Sequence, residues 1–204
     1  MKVEIGAYAF SAQYQQNPIA MDGGIISGNW LHRYDKLPEF DAIYQSWDCA
    51  IKVGQNNDYT VCTTWGVAGA TCYLLHVFRK RLEYPYLKTA VIDQFQAFSP
   101  QSIIIEDKAS GQQLIQDLQE MNTIPVIKYL PKQNKLMRLV SCSGLFEAGK
   151  VLLPKHADWL SEFEQEVLLF PNGAHDDQVD SMTQFLCWIQ HNAKRQMQYS
   201  IRRL

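Results

Sequence analysis

Ile103, Ile104 and Ile105 form one uninterrupted apolar run inside SIIIED, residues 102–107, and that run constrains the fold more than any other stretch. Successive side chains of a strand point to opposite faces, so three adjacent isoleucines need apolar cover on both sides of a sheet. The flanking sequence can supply that cover. EYPYLKTAVIDQFQAF has apolar residues at Leu87, Val91, Phe95 and Phe98, a spacing of four, four and three that predicts a helix. SGQQLIQDLQEM places Leu114, Ile115 and Leu118 on one side of a second helix, and IPVIKYL reads as the next strand. Strands alternating with helices in this way make βαβ units and a layered α/β fold.

Upstream of these units, AIYQSWDCAIK, YTVCTTWGV and TCYLLHVFRKRL read as three consecutive strands, the last two joined by the turn-like AGA. They predict an antiparallel meander, with AIYQSWDCAIK in the middle of the sheet. Downstream, NKLMRLVSCSGLFEAGKVLL predicts a helix ending near Gly149 and then a short extended piece. ADWLSEFEQEVLLF predicts another helix, and a final one starts within GAHDDQVDSM. The expected fold is therefore a mixed sheet, three antiparallel strands followed by βαβ units, with helices on both faces. Residues 1–40, rich in Gln, Asn, Gly and Pro and without a sustained period, read as an arm that wraps the domain or comes from a linker. The domain proper is expected over 41–195 and a frayed tail over 196–204.

Composition limits the classes open to such a chain. A net charge of -2 argues against indiscriminate DNA binding, although a local basic patch would still suffice for a nucleic-acid partner. The five cysteines are scattered and lack any CxxC pair, which argues against zinc and for reduced thiols in a cytoplasmic protein. No apolar run reaches the ~20 residues of a membrane helix, and the first residues lack a signal-peptide stretch.

The acidic residues carry the chemistry. Asp48 sits in a strand expected to be central, where a carboxylate must be paired, hydrogen-bonded or metal-bound. Glu106 and Asp107 end SIIIED, at the strand end where ligand sites of open sheets gather; alternation lets only one of them serve a given site. His175, Asp176, Asp177 and Asp180 crowd the start of the last helix, beside the apolar stripe of Val179, Met182, Leu186 and Ile189. Helix capping accounts for one of these acids well and two tolerably, but not for three plus a histidine, because like charges this close repel. A divalent cation removes that penalty. Hard oxygen donors without cysteine pairs favour Mg²⁺ or Mn²⁺, and two such ions about 4 Å apart suit phosphodiester hydrolysis.

SWDCA, IIIEDKASG and GAHDDQVDSM, in this order, resemble the C-terminal nuclease domain of the large terminase subunit of tailed bacteriophages and prophages. FSAQYQQNP followed by GGII resembles the segment joining that family's ATPase domain to its nuclease, and LFEAGKVLLP and NDYTV resemble further family stretches. The resemblance implies a ribonuclease H-like fold and metal-dependent cutting of concatemeric double-stranded DNA in the bacterial host cytoplasm. It also implies an ATPase domain, a small terminase subunit and a portal as partners. It assigns Asp48, Glu106 and Asp177 as catalytic metal ligands and Asp180 as a further one; Asp176 stands as a ligand or a cap. Apart from the resemblance, His175 reads as a residue orienting water or phosphate, or equally as one capping the loop. Helical angles alone favour Asp176 over Asp177. No GxxxxGK[ST] motif occurs, so ATP-driven translocation is not expected of this chain. Lys108 is a candidate phosphate contact, and Lys128, Lys132, Lys135 and Arg138 form a candidate DNA-contacting edge. Two other readings compete: a resolvase- or transposase-type nuclease of the same fold group, which should be more basic, and a catalytically weak assembly module.

Overall fold

The structure, a computed structural model, describes residues 24–50, 59–108 and 110–201. Its centre is the meander β2 (Ala42–Asp48), β3 (Thr60–Ala68) and β4 (Thr71–Lys80), paired antiparallel throughout. Helix α1 (Tyr84–Phe98) then leads to β5 (Ser102–Glu106), and α2 (Ser110–Met121) to β6 (Val126–Tyr129). β5 lies parallel to β2, and β6 parallel to β5, as βαβ connections require. Helix α3 (Lys135–Glu147), β7 (Val151–Pro154), α4 (Leu160–Leu169) and α5 (Asp177–Ile201) complete the chain. The sheet has seven strands in the order β1-β7-β4-β3-β2-β5-β6, with β1 being His32–Tyr34.

Each face of the sheet has its own core. Ile103 and Ile105 join Trp47, Cys62, Leu87, Val91, Leu114 and Leu118 under α1 and α2. Ile104 points the other way, toward Trp65, Leu139, Phe146, Phe163, Met182 and Phe185 under α3, α4 and α5. All three isoleucines are fully buried, which is what the run demanded. The mixed sheet with helices on both faces is the fold that the strand order predicts.

Three features go beyond the sequence pattern. Residues 1–23 of the expected arm lie outside the described residues, but the rest of it packs on the domain. Ile25 and Ile26 are buried in the core under α4 and α5, and β1 adds a parallel edge strand to β7. A three-residue strand shows no readable period, so only its pairing reveals it. The C-terminal helix continues to Ile201, through part of the expected tail, and 202–204 lie outside the described residues.

One glycine is needed where β5 hands over to α2. A Cβ on Gly111 would stand 2.0 Å from the carbonyl oxygen of Glu106, so only glycine lets the helix start this close to the strand end. Gly111 N–H donates to the carbonyl of Lys108 (2.8 Å), closing the turn.

Candidate active site

The strand register sets the first two acids side by side. Trp47 pairs with Ile105 across the parallel β2–β5 ladder, so Asp48 and Glu106, one residue on, end neighbouring central strands. Trp47 and Ile105 face α1 and α2; Asp48 and Glu106 therefore face α5. Asp107 falls on the opposite face, its N–H donated to Tyr129 O (2.7 Å).

Helix α5 is held over this strand end by a buried polar seam. Ser181 Oγ donates to the carbonyl of Ser46 (2.7 Å) and accepts from Thr63 N–H (3.2 Å). The Thr63 hydroxyl lies 2.8 Å from Ser181 Oγ and accepts from Trp65 Nε1 (2.8 Å). Gln184 Nε2 reaches Ser46 Oγ (3.0 Å), Ile104 O (3.1 Å) and Trp47 O (3.2 Å). Asp177, Asp180, Ser181 and Gln184 follow the i, i+3, i+4, i+7 spacing of one helix face. That polar stripe runs toward the sheet beside the apolar stripe and was legible in the sequence, where only Val179, Met182, Leu186 and Ile189 were read as buried.

The start of α5 is capped from another helix. The Asp176 carbonyl accepts the first helical bond from Asp180 N–H (2.9 Å), which makes Asp176 the N-cap residue. The work of an N-cap side chain falls instead to Glu166 of α4, whose carboxylate accepts from Gln178 N–H (2.6 Å), Val179 N–H (3.1 Å) and Gln178 Nε2 (2.7 Å). Glu166 is buried, with Arg79 at 4.0 Å and also in contact with Glu162. Glu166 thus takes the capping role, and the Asp176 and Asp180 carboxylates pair instead with Lys135 and Arg138.

Carboxylate charges converge on Asp48. Burial holds its carboxyl well above the ordinary carboxylate range, and the charges of Asp180, Asp177 and Glu106 raise it further against the opposing pull of Lys135. Asp177 is pushed up to about 6 by burial, then by Glu166 and Asp176, with Arg79 and His175 opposing. Burial also raises Asp180, although its partners Lys135 and Arg138 oppose the shift. Asp176 pairs its half-exposed carboxylate with Lys135 Nζ at 2.8 Å.

One cation expected at a DNA edge turns inward, and two exposed ones pair with acids. Arg138 is buried and places Nη2 2.5 Å from Asp180, so it is not on a solvent-facing edge as the sequence suggested. Lys135 Nζ lies 2.5 Å from the other Asp180 oxygen. Both were read from a polar stretch whose helical register hides one face: Arg138 opens a run of buried residues with Leu139 and Val140. Lys108 turns back onto Glu106 at 3.0 Å, while Lys128 and Lys132 stay exposed. His175 is exposed, its ring edge-on to Tyr59 with centroids 5.3 Å apart. Arg79 stacks on the same Tyr59 ring at 3.6 Å; neither Tyr59 nor Arg79 carried a readable signal in the sequence.

Among the described residues no three His, Cys, Asp or Glu side chains stand close enough to hold one ion as they are arranged. Asp180 is held by two cations and Glu106 by Lys108, which draws their oxygens away from a common centre. In kind, however, the donors fit a hard divalent cation: carboxylates whose charges meet at the half-buried Asp48. The adjacent Cys49 thiol is pushed far up by burial, Asp48 and Glu106.

Residues 45–188 match the family model described as the Terminase RNaseH-like domain. The chain belongs to this family. Its fold is similar to that of a large terminase from a thermophilic bacteriophage, with a TM-score of 0.63 at 15% identity over 84% of this chain and 45% of that one. It is also similar to the large terminase nuclease from thermophilic phage G20c solved with bound magnesium (TM-score 0.60, 16% identity, 82% of this chain and 98% of that one). The same nuclease with bound cobalt gives a TM-score of 0.56 at 16% identity, with the same coverage. This terminase domain thus spans less than half of the first of these proteins and matches nearly all of the G20c nuclease. No curated protein matches the chain.

Proposed function

We propose that the chain is the nuclease domain of a DNA-packaging terminase, a metal-dependent endonuclease that cuts concatemeric double-stranded DNA. Asp48, Glu106 and Asp177 hold two Mg²⁺ or Mn²⁺ ions, and Asp180 is a further ligand. The observation that carries this reading is the convergence of Asp177, Asp180 and Glu106 on the half-buried Asp48 at the ends of two parallel strands. Divalent ions bound there would supply Lewis acidity to a phosphodiester and remove the repulsion among the acids. The chain's own part is positioning: the β2–β5 register sets Asp48 beside Glu106, and Glu166, Ser181 and Gln184 fix α5 so that Asp177 and Asp180 overhang them. Lys128 and Lys132 contact backbone phosphates, and Lys108 does so once released from Glu106. In the assembled machine an ATPase domain, a small subunit and a portal are its partners, in the cytoplasm of the bacterial host.

One observation favours a second reading, a domain with weak activity by itself: Lys135 and Arg138 occupy both oxygens of Asp180. Plasmid nicking separates the two. Supercoiled DNA is incubated with the chain in Mg²⁺, Mn²⁺ or EDTA, beside Asp48→Ala and Asp177→Ala variants checked for folding by circular dichroism. Metal-dependent nicking lost in both variants supports the nuclease. No nicking supports the weak module, and equal nicking by the variants would remove these residues from the mechanism.

A further inference from the structure

On the far side of Arg138 from the acidic cluster lies a cavity of about 360 Å³, within the range of small-molecule sites. Its walls come from the end of β6, the loop after it, α3 and α5, and include Lys128, Lys132, His191, Tyr129 and Trp188 along with Arg138. No carboxylate is among its lining residues, although the chain as a whole is acidic.

Arg138 makes this more than a basic dent. Its side chain is 4% exposed, and Nη2 is engaged by Asp180; Nε and Nη1 are buried and, apart from the Tyr129 hydroxyl beside the guanidinium, have no partner at hydrogen-bonding geometry. A buried guanidinium with donors to spare is costly and calls for a further acceptor. A carboxylate or phosphate oxygen is the acceptor that a guanidinium suits best. The two exposed lysines at the same cavity favour the more highly charged of these, a phosphate. Tyr129 and Trp188 are half-buried and offer aromatic surface beside the cations. Aromatic faces next to basic groups suit a base attached to a phosphate.

We propose that this cavity binds a nucleoside monophosphate, its phosphate on Arg138, Lys128 and Lys132 and its base against Tyr129 and Trp188. The ligand is either a free nucleotide or the 5′-phosphorylated end of a DNA strand. Because Arg138 holds Asp180 with its remaining nitrogen, one cation serves both the cavity and the acidic cluster. The site itself does not depend on bound metal or on cleavage.

Calorimetric titration of the full chain in EDTA at low salt tests this, with dAMP, deoxyadenosine and inorganic phosphate as probes. dAMP is expected to bind at least about tenfold more tightly than deoxyadenosine, as one charge-assisted contact alone would provide. The Lys128→Ala/Lys132→Ala double variant, in which both replaced side chains are exposed, is expected to unfold like the parent and to bind dAMP about tenfold or more weakly. Asp48→Ala should bind dAMP unchanged, which keeps this result separate from the nicking assay. A 5′-phosphorylated oligonucleotide binding more tightly than dAMP, and than its 5′-hydroxyl counterpart, assigns the cavity to a strand end; dAMP binding at least as well assigns it to free nucleotide. Binding of dAMP no tighter than deoxyadenosine, or undiminished in the double variant, would overturn the proposal.

Discussion

Replacing Glu166 by alanine should destabilise the domain far more than replacing Asp176, although Asp176 is the N-cap residue of α5. The Glu166 carboxylate accepts three hydrogen bonds, from Gln178 N–H, Val179 N–H and Gln178 Nε2, at 2.6, 3.1 and 2.7 Å. Bonds to a charged acceptor contribute roughly 1.5–3 kcal/mol each in isolation, and they are not additive. Loss of a helix cap alone costs about 0.5–2 kcal/mol. Two buried N–H groups would be left unsatisfied, and Arg79 would lose Glu166 while keeping Glu162 and its stack on Tyr59. Relief of repulsion between Glu166 and Asp177 offsets part of the loss. A net cost of about 3–4 kcal/mol results, near the upper end for a single substitution. At roughly 2–4 °C per kcal/mol for a domain of this size, Tm should fall by about 6–16 °C. Asp176→Ala removes a half-exposed partner of Lys135 and should cost under about 1 kcal/mol. Thermal unfolding followed by circular dichroism, in EDTA, compares the two. If Asp176→Ala proved as damaging as Glu166→Ala, or Glu166→Ala shifted Tm by less than about 2 °C, the inter-helix cap would not hold the start of α5.

Three further outcomes can be checked on the same material. Gly111→Ala forces a Cβ against the Glu106 carbonyl at 2.0 Å, so stability should drop by about 2–4 kcal/mol, and nicking should fall as Glu106 is displaced; unchanged denaturant midpoints would contradict the close approach. Asp48→Asn replaces a carboxyl whose ionised form the neighbouring acids oppose, and should raise Tm in EDTA while abolishing nicking; a lower Tm in EDTA would count against the electrostatic reading. His76, stacked on Phe98 with centroids 5.2 Å apart, is held below its ordinary value of 6.5 by burial. The unfolded chain takes up that proton near pH 6.5 and the folded chain only lower, so this contribution is intact above pH 6.5 and is lost as pH falls through the folded value. His76→Gln should flatten the Tm profile in that window, and parallel profiles would remove His76 as the cause.

The acids and the secondary structure were legible for different reasons. Asp48 could be singled out because a carboxylate in a central strand needs a partner, and Glu106 only by its place at a strand end where ligand sites gather, since charge at a strand end is ordinary. The DD pair could be read as an excess of charge, but its capping role could not be dismissed without Glu166, which lies in another helix. Arg138 was read as exposed because a basic stretch looks the same in sequence whether it faces solvent or an aspartate on another helix. Ser181 and Gln184 share helical spacing with Asp177 and Asp180, and that spacing was an available signal.

Local periodicity determined the elements, because the hydrophobic pattern of each segment already states which faces need cover. It determined the antiparallel meander, the βαβ units and the two-sided burial of Ile103, Ile104 and Ile105. The tertiary structure alone decided what meets across those elements: the pairing of β1 with β7, the cap that Glu166 places on α5, and the two cations that close on Asp180. These contacts join residues far apart in the chain, with no period or motif connecting them. Their energies come from desolvation and from the direction of particular side chains, which exist only once the layers have packed.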